Sequence, residues 1–202
     1  MLIEQPTFIL DKIYPTALFR KNPEEHSVYL TFDDGPIPEV TPWVLDTLDK
    51  YGIKATFFVV GDNVKKYPEL LKDIIDRGHR VGNHTFNHVR GMQMRPHDYV
   101  ENIKKCDRYF TSNLFRPPHG IMRRWVYRNM RPEYEIVFYD VVTRDYSSKL
   151  NGNRVFRNVK QYTRNGSIIV FHDSLRSESR LKFALPKSIE WLKEQGYSFK
   201  LL

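Results

Sequence analysis

The 202-residue sequence predicts an α/β fold in which parallel strands are covered by helices. Three observations carry this. Short β-branched and aromatic runs such as Val28 to Phe32 and Ser167 to Phe171 are apolar throughout, the pattern of strands buried on both faces. Segments with apolar residues at helical spacing lie between them. Polar clusters follow the strands, at the end where such folds hold their active sites. About six or seven strand–helix units fit, leaving an open doubly wound sheet and a small or incomplete barrel both open.

Taken in order, VYLTF at Val28 to Phe32 reads as a buried strand that hands over to the polar cluster Asp33, Asp34, Gly35, Pro36. Thr41 is a candidate cap for a helix entered at Pro42, with Val44, Leu45 and Leu48 on one stripe and Tyr51-Gly52 as its stop. Ala55 to Val60 is a second strand with Gly61-Asp62 as its exit turn. Pro68 opens a helix carrying Leu70, Leu71, Ile74 and Ile75 that ends at Arg77-Gly78. His79 to Gly82 is a short extended piece leading to Asn83, His84 and Thr85.

Pro96 starts a helix through Tyr99, Ile103 and Cys106, which gives the one cysteine a core position. Pro117 and Pro118 hold the segment after Phe115 and Arg116 extended. Ile136 to Val142 reads as one strand, Arg144 to Arg154 as a polar loop and Val155 to Tyr162 as a helix. Ser167 to Phe171 is a strand ending at His172-Asp173. A helix from about Phe183 to Gln195 and a terminal strand from Tyr197 to Leu202 close the chain.

Composition narrows the function. Hydrophobic residues at 41% and aromatics at 14% suffice for a sizeable core and exclude a disordered chain. A single cysteine excludes an internal disulfide and a multi-cysteine metal site, and weakly fits a reducing compartment. No stretch approaches the roughly 18 apolar residues of a spanning helix. The first residues lack the positive start and apolar stretch of about 7 to 15 residues that mark a signal peptide. The expectation is therefore a cytoplasmic protein, with association at the cell envelope as the alternative.

The net charge of +8 favours anionic polymers or surfaces as neighbours. Basic residues concentrate between Arg95 and Arg131, nine against three acids, a net +6 that either steers an anionic glycan or forms a solvated face. A nucleic-acid-binding module would need a zinc-finger spacing, an RNP-like pattern or a Gly-rich phosphate loop, and none is present. No specific nucleic acid is expected.

His84 and His88, four positions apart in HTFNH, can bring two imidazoles to one point. Two histidines do not complete a metal site, but a carboxylate from another loop would give the two-histidine, one-carboxylate set that leaves positions open for water and substrate. The pair Asp33-Asp34 is the best supply, with one side chain for the ion and one for the reacting water.

These clusters together resemble the polysaccharide deacetylase family, also called the NodB-homology or carbohydrate esterase family 4 domain. TFDDGP at Thr31 to Pro36, HTFNH at His84 to His88, RPPHG at Arg116 to Gly120, the pair Asp145-Tyr146, and VFH at Val170 to His172 are similar to its five motifs, in order. The resemblance covers residues 28–202 and implies a single catalytic domain over 1–202, built as a distorted or incomplete (β/α) barrel of about seven parallel strands.

The resemblance further implies a divalent ion, zinc by preference with cobalt as an alternative, held by Asp34, His84 and His88. Asp33 would be the general base, Arg116 its orienting partner, His172 the general acid and Asp145 the partner of His172. The backbone N–H of His119 would contribute to the oxyanion site, and Tyr146 and Val170 to the substrate wall.

The implied reaction is hydrolysis of an N-acetyl group on an amino sugar in a polysaccharide, oligosaccharide or glycan precursor. An O-acetyl esterase or small-amide hydrolase with the same ion, and a non-catalytic glycan-binding pseudoenzyme, are the rivals. Four departures from the family pattern bear on pocket shape rather than on proton chemistry. Tyr146 stands where Trp is usual, Val170 where Leu is usual, His119 where Tyr is frequent and Ile121 where an aromatic often follows the glycine.

Overall fold

β1 (Ser27–Asp33) is buried along its whole length and is the strand around which the sheet is arranged. It appears in a computed structural model that describes residues 4–202; the first three residues, where the N-terminal reading for a leader begins, lie outside the described residues. The other strands are β2 (Thr56–Val59), β3 (Arg80–Asn83), β4 (Leu114–Phe115), β5 (Glu135–Ile136), β6 (Val141–Val142), β7 (Ser167–His172) and β8 (Ser198–Phe199). Their order is β5-β4-β3-β2-β1-β7-β6, with β8 against the first two residues of β1. All pairings among these strands are parallel.

The sheet is a half-barrel. β5 and β6 stand at opposite ends of the strand order, yet only residues 137–140 join them. A chain that short spans at most about 18 Å, so the sheet must curl until its two edges nearly meet. Leu18 occupies the remaining gap, bridging to Val137 and accepting the Phe138 N–H at 2.8 Å.

This corrects the reading of Ile136 to Val142 as one strand. The apolar run crosses from one edge to the other: the Val137 N–H goes to the Phe115 carbonyl and the Asp140 N–H to that of Ile168. Burial of Ile136, Val137, Phe138, Val141 and Val142 keeps the run largely apolar although its backbone changes partners. The terminal strand is also shorter than expected, limited to Ser198–Phe199.

The helices are α1 (Thr7–Ile13), α2 (Thr41–Tyr51), α3 (Gly61–Lys66), α4 (Pro68–Asp76), α5 (Pro96–Lys104), α6 (Arg124–Met130), α7 (Gly152–Tyr162) and α8 (Glu178–Glu194). Gly61-Asp62 is thus the start of a short helix rather than only an exit turn, and α8 begins earlier than expected. α7 likewise takes in the end of the expected Arg144 to Arg154 loop, where the Asn151 side chain accepts the Arg154 N–H as an N-cap. α2 stops where Gly52 adopts φ 66°, a left-handed turn that glycine enters without a Cβ clash. Thr41 is not a cap; its hydroxyl donates to Asp173 at 2.6 Å.

Period-two alternation along β1 separates two environments. Val28, Leu30 and Phe32 pack with Val44, Leu45 and Leu48 of α2, Ile74 of α4, Val155 of α7 and Leu185 of α8. Burying each such side chain stabilises the fold by roughly 1.5–3 kcal/mol. Tyr29 points the other way, into the barrel interior with Phe58, Leu114, Val137 and Ile168. Thr31 and Asp33 share that inner face by the same alternation. Cys106 is buried, in keeping with its core reading, and so is His79.

Candidate metal centre and active site

The motif residues lie near or just beyond the C-terminal ends of strands that open on the same rim. Asp33 ends β1 in register with His172 at the end of β7, while His84 follows β3 and Arg116 follows β4. Parallel pairing therefore collects residues far apart in sequence at one mouth of the half-barrel.

Arg116 is 0% exposed. Its Nη1 donates to Asp33 Oδ1 at 2.7 Å and to Thr31 Oγ1 at 2.8 Å, and its Nη2 donates to the Phe138 carbonyl at 2.8 Å. The guanidinium lies 4.0 Å from the centre of the Phe58 ring. Burial pulls the Arg116 pKa down, and the Asp33 carboxylate opposes that pull. Asp33 is held through one oxygen, and its Oδ2 lies 3.9 Å from His84 Nε2.

Asp34, His84 and His88 each offer one ligand atom, and the three atoms lie within 4.8 Å of one another. Asp34 Oδ1 is 3.1 Å from His88 Nε2 and 3.8 Å from His84 Nε2. Ligands at about 2.1 Å from a tetrahedral ion would stand about 3.4 Å apart. Asp34 Oδ1 is buried and forms no hydrogen bond, which a cation would remedy.

His84 Nδ1 is 2.8 Å from the Arg116 carbonyl, which can only accept, so Nδ1 carries the proton and the Nε2 lone pair is left for an ion. Burial lowers the His84 pKa to about 4, keeping the imidazole neutral as a ligand must be. Burial raises the pKa of Asp34, but His88, His172 and His84 outweigh it and hold the carboxyl well below the usual range. The donor set fits a divalent ion with open positions.

Asp145 clamps His172 with both oxygens: Oδ1 accepts from Nδ1 at 2.7 Å and Oδ2 from the backbone N–H at 2.8 Å. Burial lowers the His172 pKa, yet Asp145 overrides it and, with Asp34 and Asp33, pushes it up to about 9. The outcome is an imidazolium. Tyr146 meets the His172 ring edge-on at 5.0 Å.

A cavity of about 450 Å³ is lined by Asp33, Asp34, His84, His88, His119, Tyr146, Val170 and His172 among others. Those eight are the expected pocket residues; Arg116 and Asp145 stand behind them, buried. Asp34, Thr85, His88 and His119 adopt φ of 84°, 64°, 51° and 62°, a left-handed conformation rare outside glycine. Such backbone strain gathers at sites where the surrounding structure fixes it.

Several site residues lie outside the set that the sequence proposed. Tyr139 lines the cavity, and its hydroxyl would lie 2.1 Å from a Cβ at Gly120, so that glycine cannot be replaced without displacing it. Asp173 accepts the Gly35 N–H at 3.1 Å and the Thr41 hydroxyl at 2.6 Å, bracing the loop that carries Asp34, and burial raises its pKa to about 8. Gly120, Val142, Arg90, Ser174 and Arg176 complete the lining. Tyr139 lay within an apparent strand; the two arginines look like any surface cation in sequence.

Residues 20–132 match the sequence model of the polysaccharide deacetylase family. A Bacillus cereus protein named peptidoglycan-N-acetylglucosamine deacetylase is 33% identical over 183 residues, covering 87% of this chain and 85% of its own length. The peptidoglycan-N-acetylmuramic acid deacetylase PdaA of Bacillus subtilis is 32% identical over 197 residues, covering 91% of this chain and 73% of its own. Against PgdA of Listeria monocytogenes, 33% identical, the chain spans 37% of the length.

Among solved structures, a peptidoglycan N-acetylglucosamine deacetylase aligns with a TM-score of 0.86 at 31% identity, covering 93% of this chain and 91% of that one. A Bacillus anthracis protein described as a pseudoenzyme of carbohydrate esterase family 4 aligns with a TM-score of 0.83 at 27% identity, covering 93% and 68%.

Proposed function

The chain belongs to the polysaccharide deacetylase family, and from that premise we propose that it hydrolyses the N-acetyl group of an amino sugar in a polysaccharide, oligosaccharide or glycan precursor. Asp34, His84 and His88 would hold a divalent ion, zinc by preference. Such an ion supplies Lewis acidity to the acetyl carbonyl and acidity to the attacking water.

The chain's own residues divide the proton work. Asp33, fixed through Oδ1 by Arg116, keeps Oδ2 free to take the proton of the attacking water. His172, held at Nδ1 by Asp145, presents Nε2 as the donor for the departing amine nitrogen. The His119 backbone N–H is assigned to the developing oxyanion. Tyr146 and Val170 bound the acetyl methyl, which sets how large an acyl group the pocket admits.

The observation that carries this reading is the meeting of the Asp34, His84 and His88 ligand atoms in one cavity with Asp33 and His172. The test is a mass-spectrometric screen of N- and O-acetylated glycans with zinc- or cobalt-loaded protein and with chelated protein. Loss of an acetyl mass from a defined nitrogen, abolished by chelation, is the expected result. Turnover that survives complete chelation contradicts it. Loss from oxygen alone moves the substrate to esters, and binding of glycan with neither ion nor turnover makes the protein a pseudoenzyme.

A further inference from the structure

The mouth of the cavity carries two cations that no acid among the described residues neutralises. Arg90, two residues after His88, and Arg176, in the loop after β7, both line the cavity and both are exposed. Neither guanidinium has an ion-pair or hydrogen-bond partner among the described residues, whereas Arg77, Arg95, Arg144 and Arg164 are each paired with an acid. The acids lining the cavity are Asp33 and Asp34. The first is engaged by Arg116, and the second faces the two histidines.

The two cations come from different loops, Arg90 from the one after His88 and Arg176 from the one after β7. The charge of Arg90 is felt by His119, and that of Arg176 by Tyr146, which meets the His172 ring. Both are rooted in braced backbone. The Arg90 carbonyl accepts the Gln93 N–H at 2.9 Å, and Arg123 bonds the Met92 carbonyl at 3.0 Å. The Arg176 carbonyl accepts from the Arg180 guanidinium, which also donates to the Asp145 carbonyl and so ties this loop to the one carrying the partner of His172.

The basic stretch Arg95 to Arg131 is a different feature: within it Arg95 pairs with Asp98, Lys104 with Glu133, and Arg116 is buried on Asp33. The unbalanced charge at the mouth comes instead from residues on either side of that stretch.

We propose that Arg90 and Arg176 form an anion clamp across the mouth of the cavity, so that the preferred substrate is an N-acetylated amino sugar with a carboxylate or phosphate on the same or the neighbouring sugar. This rests on the deacetylase reading and deepens it. A guanidinium fork binds carboxylate and phosphate through paired N–H donors, a geometry that a neutral sugar hydroxyl cannot reproduce with the same strength. Two such forks from different loops lining one cavity would orient an anionic glycan there while the acetamido group enters it.

The test compares kcat/KM of the zinc-loaded protein on four probes: a neutral N-acetylglucosamine tetramer, a peptide-free peptidoglycan strand with free carboxylates, the same strand methyl-esterified, and a phosphorylated N-acetylglucosamine oligomer. Calorimetric binding of each probe to the metal-free protein runs beside it. The free-acid strand is expected to exceed its ester about tenfold, through KM, with the ratio falling toward one in R90Q and R176Q and decreasing with salt. Preference for the phosphorylated oligomer alone assigns phosphate as the clamped anion.

Equal turnover of acid and ester, or a ratio untouched by both substitutions, overturns the clamp while leaving the deacetylase reading intact. If no probe is hydrolysed, the deacetylase reading fails and the binding ratios decide the clamp by the same criterion.

Discussion

Arg116 and Asp33 form an enclosed ion pair, Nη1 to Oδ1 at 2.7 Å, with side-chain exposures of 0% and 4%. Removing both charges from water costs several kcal/mol per ion, so such a pair adds little net stability over a packed apolar core. Its value here is orientation. Thr31, the Phe138 carbonyl and the Phe58 ring fix the guanidinium, and the guanidinium fixes one carboxylate oxygen beside the metal ligands.

Replacing Arg116→Met leaves the Asp33 charge buried and alone. Stability is expected to fall by about 3–5 kcal/mol, read as a lower urea midpoint at unchanged slope. Adding Asp33→Asn should recover part of that loss without restoring turnover. A single substitution as stable as wild type would show that the pair does not hold the charge in place.

Asp33 and Asp34 are neighbours to which the proposed mechanism gives different tasks, and metal content tells them apart. Asp34→Ala and His84→Ala should lose the bound ion on dialysis. Asp33→Asn should keep it and lose about 10²- to 10⁴-fold in kcat, the usual worth of a general base. Loss of metal in Asp33→Asn, measured by elemental analysis, would reverse the assignment.

In the metal-free protein the His172 pKa is pushed up to about 9. A folded-state value above the unfolded one near 6.5 means that its contribution to stability is complete below about pH 6.5 and fades as pH rises through about 9. Asp145→Asn removes the partner and should bring the titration down toward 6.5 or below. Histidine NMR of the metal-free protein reads this directly; a wild-type midpoint near 6.5 contradicts it.

His79 shows the opposite sign far from the pocket. Its Nδ1 accepts the Ala55 N–H at 3.1 Å, and burial lowers its pKa to about 4. The fold takes the neutral ring, so stability is complete above pH 6.5 and falls by about 1.4 kcal/mol per unit as pH drops toward 4. His79→Gln should flatten that part of the stability profile, measured by urea unfolding between pH 7 and 4.

Much of the site was legible in the sequence because its chemistry sits at strand ends. A run such as VYLTF can only be a buried strand, and the residues that follow it, Asp33-Asp34, must then stand at its C-terminal end. The same holds for His84 after β3 and His172 at the end of β7. Ile136 to Val142 misled for the converse reason: a segment buried while crossing between sheet edges has the composition of a strand without its pairing. Arg90 and Arg176 were invisible because exposure and lack of a partner are properties of the surroundings, not of the residue.

The sequence by itself determined which candidate ligand, acid and base side chains the protein has, that the ligand motifs come from separate strand ends, and that the core is helices against a parallel sheet. Only the tertiary structure decided that the two sheet edges come within four residues of each other and that Tyr139 and Asp173 support the site. It also decided that two arginines from different loops face one cavity. Local patterning encodes burial and chain direction, whereas distances between loops are set by how far the whole sheet twists and curls, to which every strand contributes.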